Sequence, residues 1–273
     1  MTAAAVVRET DGPVAIIRLD REDKLNAFTY GMISAIRREV DAAVADRAVT
    51  AIVITGTGRA FSAGLDMSDL GRSSRGEVGP SAAAADESRA NDAHGRLPAL
   101  FSFLLDAPKP VIAAVNVVCA GGGLVLAMMC DLRFASTSAT FTSAFSKRGL
   151  IAEHATAWLL PRLMGTSRAL DVLWSSRKFD AAEAYRLGLV DRLVEPDELL
   201  PVATAYVHEL AESVAPRAIA TMKRQVYEGL SVSVEQSCAD ADALMRASLD
   251  HPDLKEGVQS FLERRPPRFA PID

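Results

Sequence analysis

Residues 52–66 read Ile52-Val53-Ile54-Thr55-Gly56-Thr57-Gly58-Arg59-Ala60-Phe61-Ser62-Ala63-Gly64-Leu65-Asp66. Ala51 to Ile54 is a short apolar run ended by Thr55-Gly56, the pattern of a parallel strand buried on both faces. Upstream, residues 29–44 carry apolar side chains at Met32, Ile33, Ile36, Val40 and Val44, a helical spacing. Further upstream, residues 6–8 and 14–19 read as strands, with Asp11-Gly12 between them as a hairpin signal. Strand, helix and strand in that order make a βαβ-like unit, and the fold class is α/β.

Downstream, residues 111–115 predict a strand, 124–130 a helix and 132–135 another strand. Residues 71–93 change character. They are rich in Ser, Gly, Ala and charge, and predict a mobile loop followed by a polar helix. From Ala155 onward the pattern is mostly helical. Helices are expected at 155–164, 167–174, 180–187, 197–214, 217–229, 232–248 and 251–264. Pro196 and Pro216 fall where helices start or stop. The shift near Pro196 divides the chain into a core, 1–196, and a helical C-terminal part, 197–273.

Bulk properties narrow the function classes. The 273 residues are 49% hydrophobic, enough for a sizeable core, and the net charge of −5 gives no footprint for nucleic acid or an anionic membrane. Three widely spaced cysteines, Cys119, Cys130 and Cys238, make no disulfide framework, so a reducing cytoplasm is the expected setting. Met1 to Val7 lacks the basic start and apolar run of a secretory signal. The apolar stretch 111–130 contains Asn116 and three glycines, and fits a strand, a turn and a buried helix better than a membrane span. No membrane partner is expected.

Familiar motifs fail. Gly56-Thr57-Gly58-Arg59-Ala60 lacks the GK[ST] ending of a nucleotide loop, and Phe61-Ser62 breaks the dinucleotide fingerprint GxGxxG. Ala60-Phe61-Ser62-Ala63-Gly64 lacks the first glycine of a nucleophile elbow. His94, His154, His208 and His251 show no ligand spacing with the cysteines, so no metal is expected. Two glycine-bearing segments remain, 56–66 and Ala120-Gly121-Gly122-Gly123 between a strand and an apolar helix. Small residues let a ligand approach the backbone, and a helix N-terminus offers free N–H groups and partial positive charge, a setting for an oxyanion. The same glycines equally permit tight turns and close helix packing.

In these segments the sequence resembles the crotonase (enoyl-CoA hydratase/isomerase) family. Residues 52–66 resemble its strand followed by GxGRxFSAGxD. Lys109-Pro110-Val111-Ile112-Ala113-Ala114-Val115-Asn116, Ala120-Gly121-Gly122-Gly123-Leu124 and Ala127-Met128-Met129-Cys130-Asp131 resemble its second signature. Asn26-Ala27, residues 179–190 and residues 261–269 resemble its NA, AxxxGLV and C-terminal motifs. The resemblance runs in order over nearly the whole chain. It implies a spiral of ββα turns with a C-terminal helical region that trimerises, and an acyl-CoA substrate with no other cofactor. It also implies that N–H groups at Ala63 and Gly122 bind the thioester oxygen, with Lys24, Leu25, Ala63, Gly64, Leu65, Asp66 and Gly122 along the coenzyme A path and Lys223 reaching a phosphate.

The hydratases of the family use two glutamates, and the matching positions here are Val125 and Phe145. Neither does acid–base work. The position after Asn116, a familiar glycine, is Val117. Glu153 matches the position where enoyl-CoA isomerases place their Asp or Glu, and its neighbours Phe145, Ile151 and Trp158 are apolar, which suits a general base. As a plain structural residue, Glu153 would sit at a helix N-terminus favoured by the dipole. His154 would tune it, touch substrate or simply pack. The expectation is an enoyl-CoA isomerase with Glu153 as base. The alternatives are a hydratase using Glu153 alone, a thioester hydrolase or a non-catalytic coenzyme A binder. The expected assembly is a homotrimer or hexamer.

Overall fold

The computed structural model describes residues 4–68, 71 and 100–272. The expected loop and polar helix at 71–93 lie outside these residues, apart from Gly71. β1 (Val6–Asp11) and β2 (Val14–Leu19) form the hairpin turned at Gly12. The Thr29 hydroxyl accepts the Met32 N–H at 3.2 Å and starts α1 (Tyr30–Ala45), whose Met32, Ile36, Val40 and Ala43 are buried. β3 (Ala51–Gly56), β5 (Val111–Val115), β7 (Leu132–Ser136) and β10 (Arg192–Val194) complete a six-stranded sheet of order β1-β2-β3-β5-β7-β10, parallel after the first hairpin.

A second sheet, absent from the sequence expectation, contains β4 (Ala60–Ser62), β6 (Val118–Ala120), β8 (Thr140–Thr142) and β9 (Phe179–Asp180). Its strands are two or three residues long, too short to carry a readable period of two. Three of them directly follow strands of the first sheet. The chain therefore climbs from one sheet to the other at β3–β4, β5–β6 and β7–β8, the spiral of ββα turns.

Side-chain alternation separates two buried layers. Ile52 and Ile54 face the interior shared with α1, the second sheet and α3 (Gly122–Met129), which follows a short helix α2 (Phe103–Asp106). Ala51 and Val53 face the opposite side with Val14, Ile16, Ile112, Ala114 and Phe134. That outer layer is closed by Leu199, Ala203 and Val207 of α7 (Leu199–Ser213), which follows α4 (Thr156–Met164), α5 (Thr166–Ser175) and α6 (Ala181–Leu187). Thus α7 lies past the expected boundary at Pro196 yet packs on the sheet. The helices that stand off it are α8 (Pro216–Gly229), α9 (Val234–Leu249) and α10 (Pro252–Glu263), and α8 and α9 bury no residue fully. No helix among the described residues is long and apolar enough to cross a membrane.

Candidate active site

The two glycine segments meet. Gly64 has φ +94°, and a Cβ there would lie 2.8 Å from the Ala120 oxygen and 2.9 Å from the Gly122 nitrogen. A Cβ on Gly122 would lie 3.3 Å from the Phe28 ring and 3.6 Å from the Leu65 nitrogen. Gly64 has to be glycine for the segments to approach so closely, and Gly122 leaves room for little more than a methyl group.

Peptide direction then decides which N–H groups are free. The Phe28 N–H donates to the Gly64 oxygen at 2.7 Å, and the Asp66 N–H donates to the Phe28 oxygen at 2.9 Å. In the trans Gly64–Leu65 peptide, the Leu65 N–H points opposite to that bound oxygen, away from Phe28. Gly122 opens α3, and its N–H belongs to the first turn, where no intrahelical acceptor exists. Neither N–H has an acceptor among the described residues. The partial positive end of α3 adds to their field.

This geometry corrects the expectation at Ala63. Its N–H donates to the Leu25 oxygen at 2.9 Å and is not available to a ligand. Leu65, expected only along the coenzyme A path, carries the free donor instead. The signal was Gly64: a residue that must turn to positive φ re-aims the peptide that follows it.

Lys223 is a second correction. Its ammonium donates to Asp131 Oδ2 at 2.7 Å, to the Leu104 oxygen at 2.8 Å and to the Lys109 oxygen at 3.2 Å, and its side chain is 8% exposed. With its three donors used inside the protein, it does not reach a phosphate. Lys24 ends an exposed 3-10 turn, and Leu25 follows it, half-buried, at φ 51°. The Asp66 carboxylate accepts from Arg21 Nη1 at 2.7 Å and from the Ser68 N–H and hydroxyl, at 3.0 and 2.7 Å. Those bonds, the Ser68 pair first, pull its pKa down to about 2.

Glu153 is half-buried in the loop before α4, and its carbonyl accepts from the Thr156 N–H at 3.0 Å. Of its expected apolar neighbours, not all are buried. Phe145 is buried and Trp158 packs against the core, but Ile151 is 79% exposed. His154 and Ala155 take left-handed φ angles of 51° and 59°, unusual for residues other than glycine. His154 is exposed overall, and partial desolvation by its neighbours pushes its pKa below the ordinary value, opposed by the Glu153 charge. The Gly121 N–H donates to the Thr142 oxygen at 3.1 Å, and the Phe145 oxygen accepts from Leu150 at 3.0 Å. Val125 and Phe145 are buried in the same apolar core. Cys119 and Cys130 are buried too, and burial pushes both thiols up, away from reactive thiolates.

The family model for enoyl-CoA hydratase/isomerase matches residues 9–271. The chain belongs to the enoyl-CoA hydratase/isomerase family. A crotonyl-CoA hydratase of Syntrophomonas wolfei is 32% identical over 268 residues, covering 97% of each chain. The crystal structure of an enoyl-CoA hydratase from Polaromonas sp. JS666 superimposes with a TM-score of 0.86 at 27% identity, over 97% of this chain and 100% of that one. An enoyl-CoA hydratase subunit from Geobacillus kaustophilus HTA426 gives 0.84 at 31% identity, over 97% and 98%. The spiral of ββα turns is thus the crotonase fold of the enoyl-CoA hydratase/isomerase family.

Proposed function

We propose that the N–H groups of Leu65 and Gly122 hold the thioester oxygen of an enoyl-CoA while Glu153 moves a proton along its acyl chain, so that the enzyme is an enoyl-CoA isomerase. The carrying observation is the pair of neighbouring N–H groups with no acceptor among the described residues. Removing a proton from the carbon beside the thioester drives negative charge onto its oxygen. Fixed donors favour that state over the neutral carbonyl, each accounting for about 10²–10³ in rate. Glu153 takes the α-proton and returns it at the γ-carbon, so one carboxylate completes an allylic shift. Val125 and Phe145, buried among apolar side chains, offer no second acid–base group. Lys24, Leu25, Gly64 and Asp66 line the coenzyme A path beside the donors, and no further cofactor takes part.

A hydratase in which Glu153 alone activates water is the second reading, favoured by the names of the similar proteins. An acyl-CoA panel on wild type and Glu153→Gln separates the two. The isomerase reading expects a shift of a 3-enoyl-CoA double bond, no hydration of crotonyl-CoA, and loss of turnover in the variant by about 10²–10⁴ with coenzyme A binding kept. Near-wild-type turnover in Glu153→Gln would sink both. The assembly belongs to the same proposal. Met222, Val226, Met245, Leu249, Val258 and Phe261 on α8, α9 and α10 are exposed in the single chain, and a homotrimer or hexamer would cover them.

A further inference from the structure

Behind the Leu65–Gly122 pair runs a hydrogen-bond relay centred on two fully buried residues, Ser62 and Asn26. The Ser62 hydroxyl donates to the Asn26 main-chain oxygen at 2.8 Å and accepts the Gly64 N–H at 3.1 Å. Asn26 is itself fully buried, with a left-handed φ of 56° that asparagine tolerates. Its Nδ2 donates to the Thr57 and Ala60 oxygens at 3.0 and 2.8 Å, and its Oδ1 accepts the Arg21 N–H at 2.8 Å. All its side-chain polar atoms are thus tied to the frame, and its main-chain oxygen is a fixed point.

Gly64 needs such a fixed point. A glycine at φ +94° has broad conformational freedom, and the Leu65 N–H sits on the peptide that this freedom would swing. Two bonds hold Gly64 from its two sides. Phe28 binds its oxygen at 2.7 Å, and Ser62 binds its N–H. The first fixes the plane of the Leu65 peptide, and the second fixes the peptide before it.

We infer that Ser62 is a positioning residue for the reaction: it touches no substrate, and through Gly64 it aims the Leu65 N–H at the thioester oxygen. This rests on the proposed role of the Leu65–Gly122 pair. A hydroxyl that merely satisfied buried neighbours would contribute to stability and leave the aim of Leu65 untouched.

The test is the infrared stretch of a saturated acyl-CoA labelled with ¹³C at the thioester carbonyl, bound to wild type, Ser62→Ala and Ser62→Cys, alongside kcat, KM and melting temperature. Wild type is expected to move the stretch to lower wavenumber. Ser62→Ala is expected to lose part of that shift and about tenfold in kcat, less than deletion of a donor would cost, with KM little changed. Ser62→Cys, close in size and a weak donor and acceptor, is expected to lie between them and serves if the alanine variant does not fold. A full wild-type shift and kcat in a folded Ser62→Ala, even with a lowered melting temperature, overturns the inference alone. Absence of any shift in wild type overturns the carbonyl-binding reading, and this inference with it.

Discussion

Residues act at this site mainly through what their backbones are free to do. Gly64 is the clearest case. Gly64→Ala would put a methyl group against main-chain atoms of Ala120 and Gly122 and force alanine to a positive φ. The expected result is a kcat/KM lower by about 10²–10³, as the Leu65 and Gly122 donors are pushed apart, together with about 1–3 kcal/mol of lost stability in urea unfolding. Wild-type kinetics in that variant would mean that the two segments do not act as a pair. Asp66 offers a pH test. Its folded pKa of about 2 lies below the ordinary 3.8. Its contribution to stability is therefore complete above about pH 4 and is lost as pH falls through 2. Asp66→Asn should be less stable than wild type at neutral pH, and the gap should shrink steadily over that window in acid melting curves.

Elements are joined here by polar contacts as well as by apolar ones. Asp131 follows α3 and the strand β5 lies beside it. Its Oδ2 takes the Val111 N–H and the Lys223 ammonium, both at 2.7 Å, and its Oδ1 takes the Tyr227 hydroxyl at 2.9 Å. One carboxylate thus ties α8 to the sheet, and α8 has no fully buried residue of its own to do so. Lys223→Met leaves that part-buried carboxylate without its cation. The expected cost is about 1–3 kcal/mol in urea unfolding, with part of it recovered in the Asp131→Asn, Lys223→Met double variant. A loss below 1 kcal/mol would mean the pair only decorates a dock made by packing. Hydrogen exchange should show α8 opening first in the single variant.

At the scale of the whole molecule, the C-terminal helices expose several large apolar side chains, among them Val226, Leu249, Val258 and Phe261, and the proposed assembly would cover them. Mass photometry is expected to show a trimer or hexamer, and Phe261→Glu with Val258→Glu to shift it toward smaller species. A stable wild-type monomer would leave the exposed faces of α9 and α10 unexplained. Much of this architecture is legible in the sequence. The hairpin, α1, the buried strands and the helices from α4 onward follow from periodicity and punctuation, because each is long enough to show its repeat. The motifs at 52–66 and 120–124 likewise bring the glycines of the site into view. The strands of the second sheet are too short for any repeat, and they became visible only once paired. The same limit governs the site. Sequence put two glycine-bearing segments in view, and the family resemblance implied an oxyanion site at them; tertiary structure brought the two together and left the Leu65 N–H, not that of Ala63, as the free donor. Residue type does not set the direction of a peptide group. The long-range bonds from Phe28 to Gly64 and from Ala63 to Leu25 do, and they exist only in the folded chain. For the same reason Lys223, a surface cation by composition, became a buried tie when folding brought Asp131 beside it.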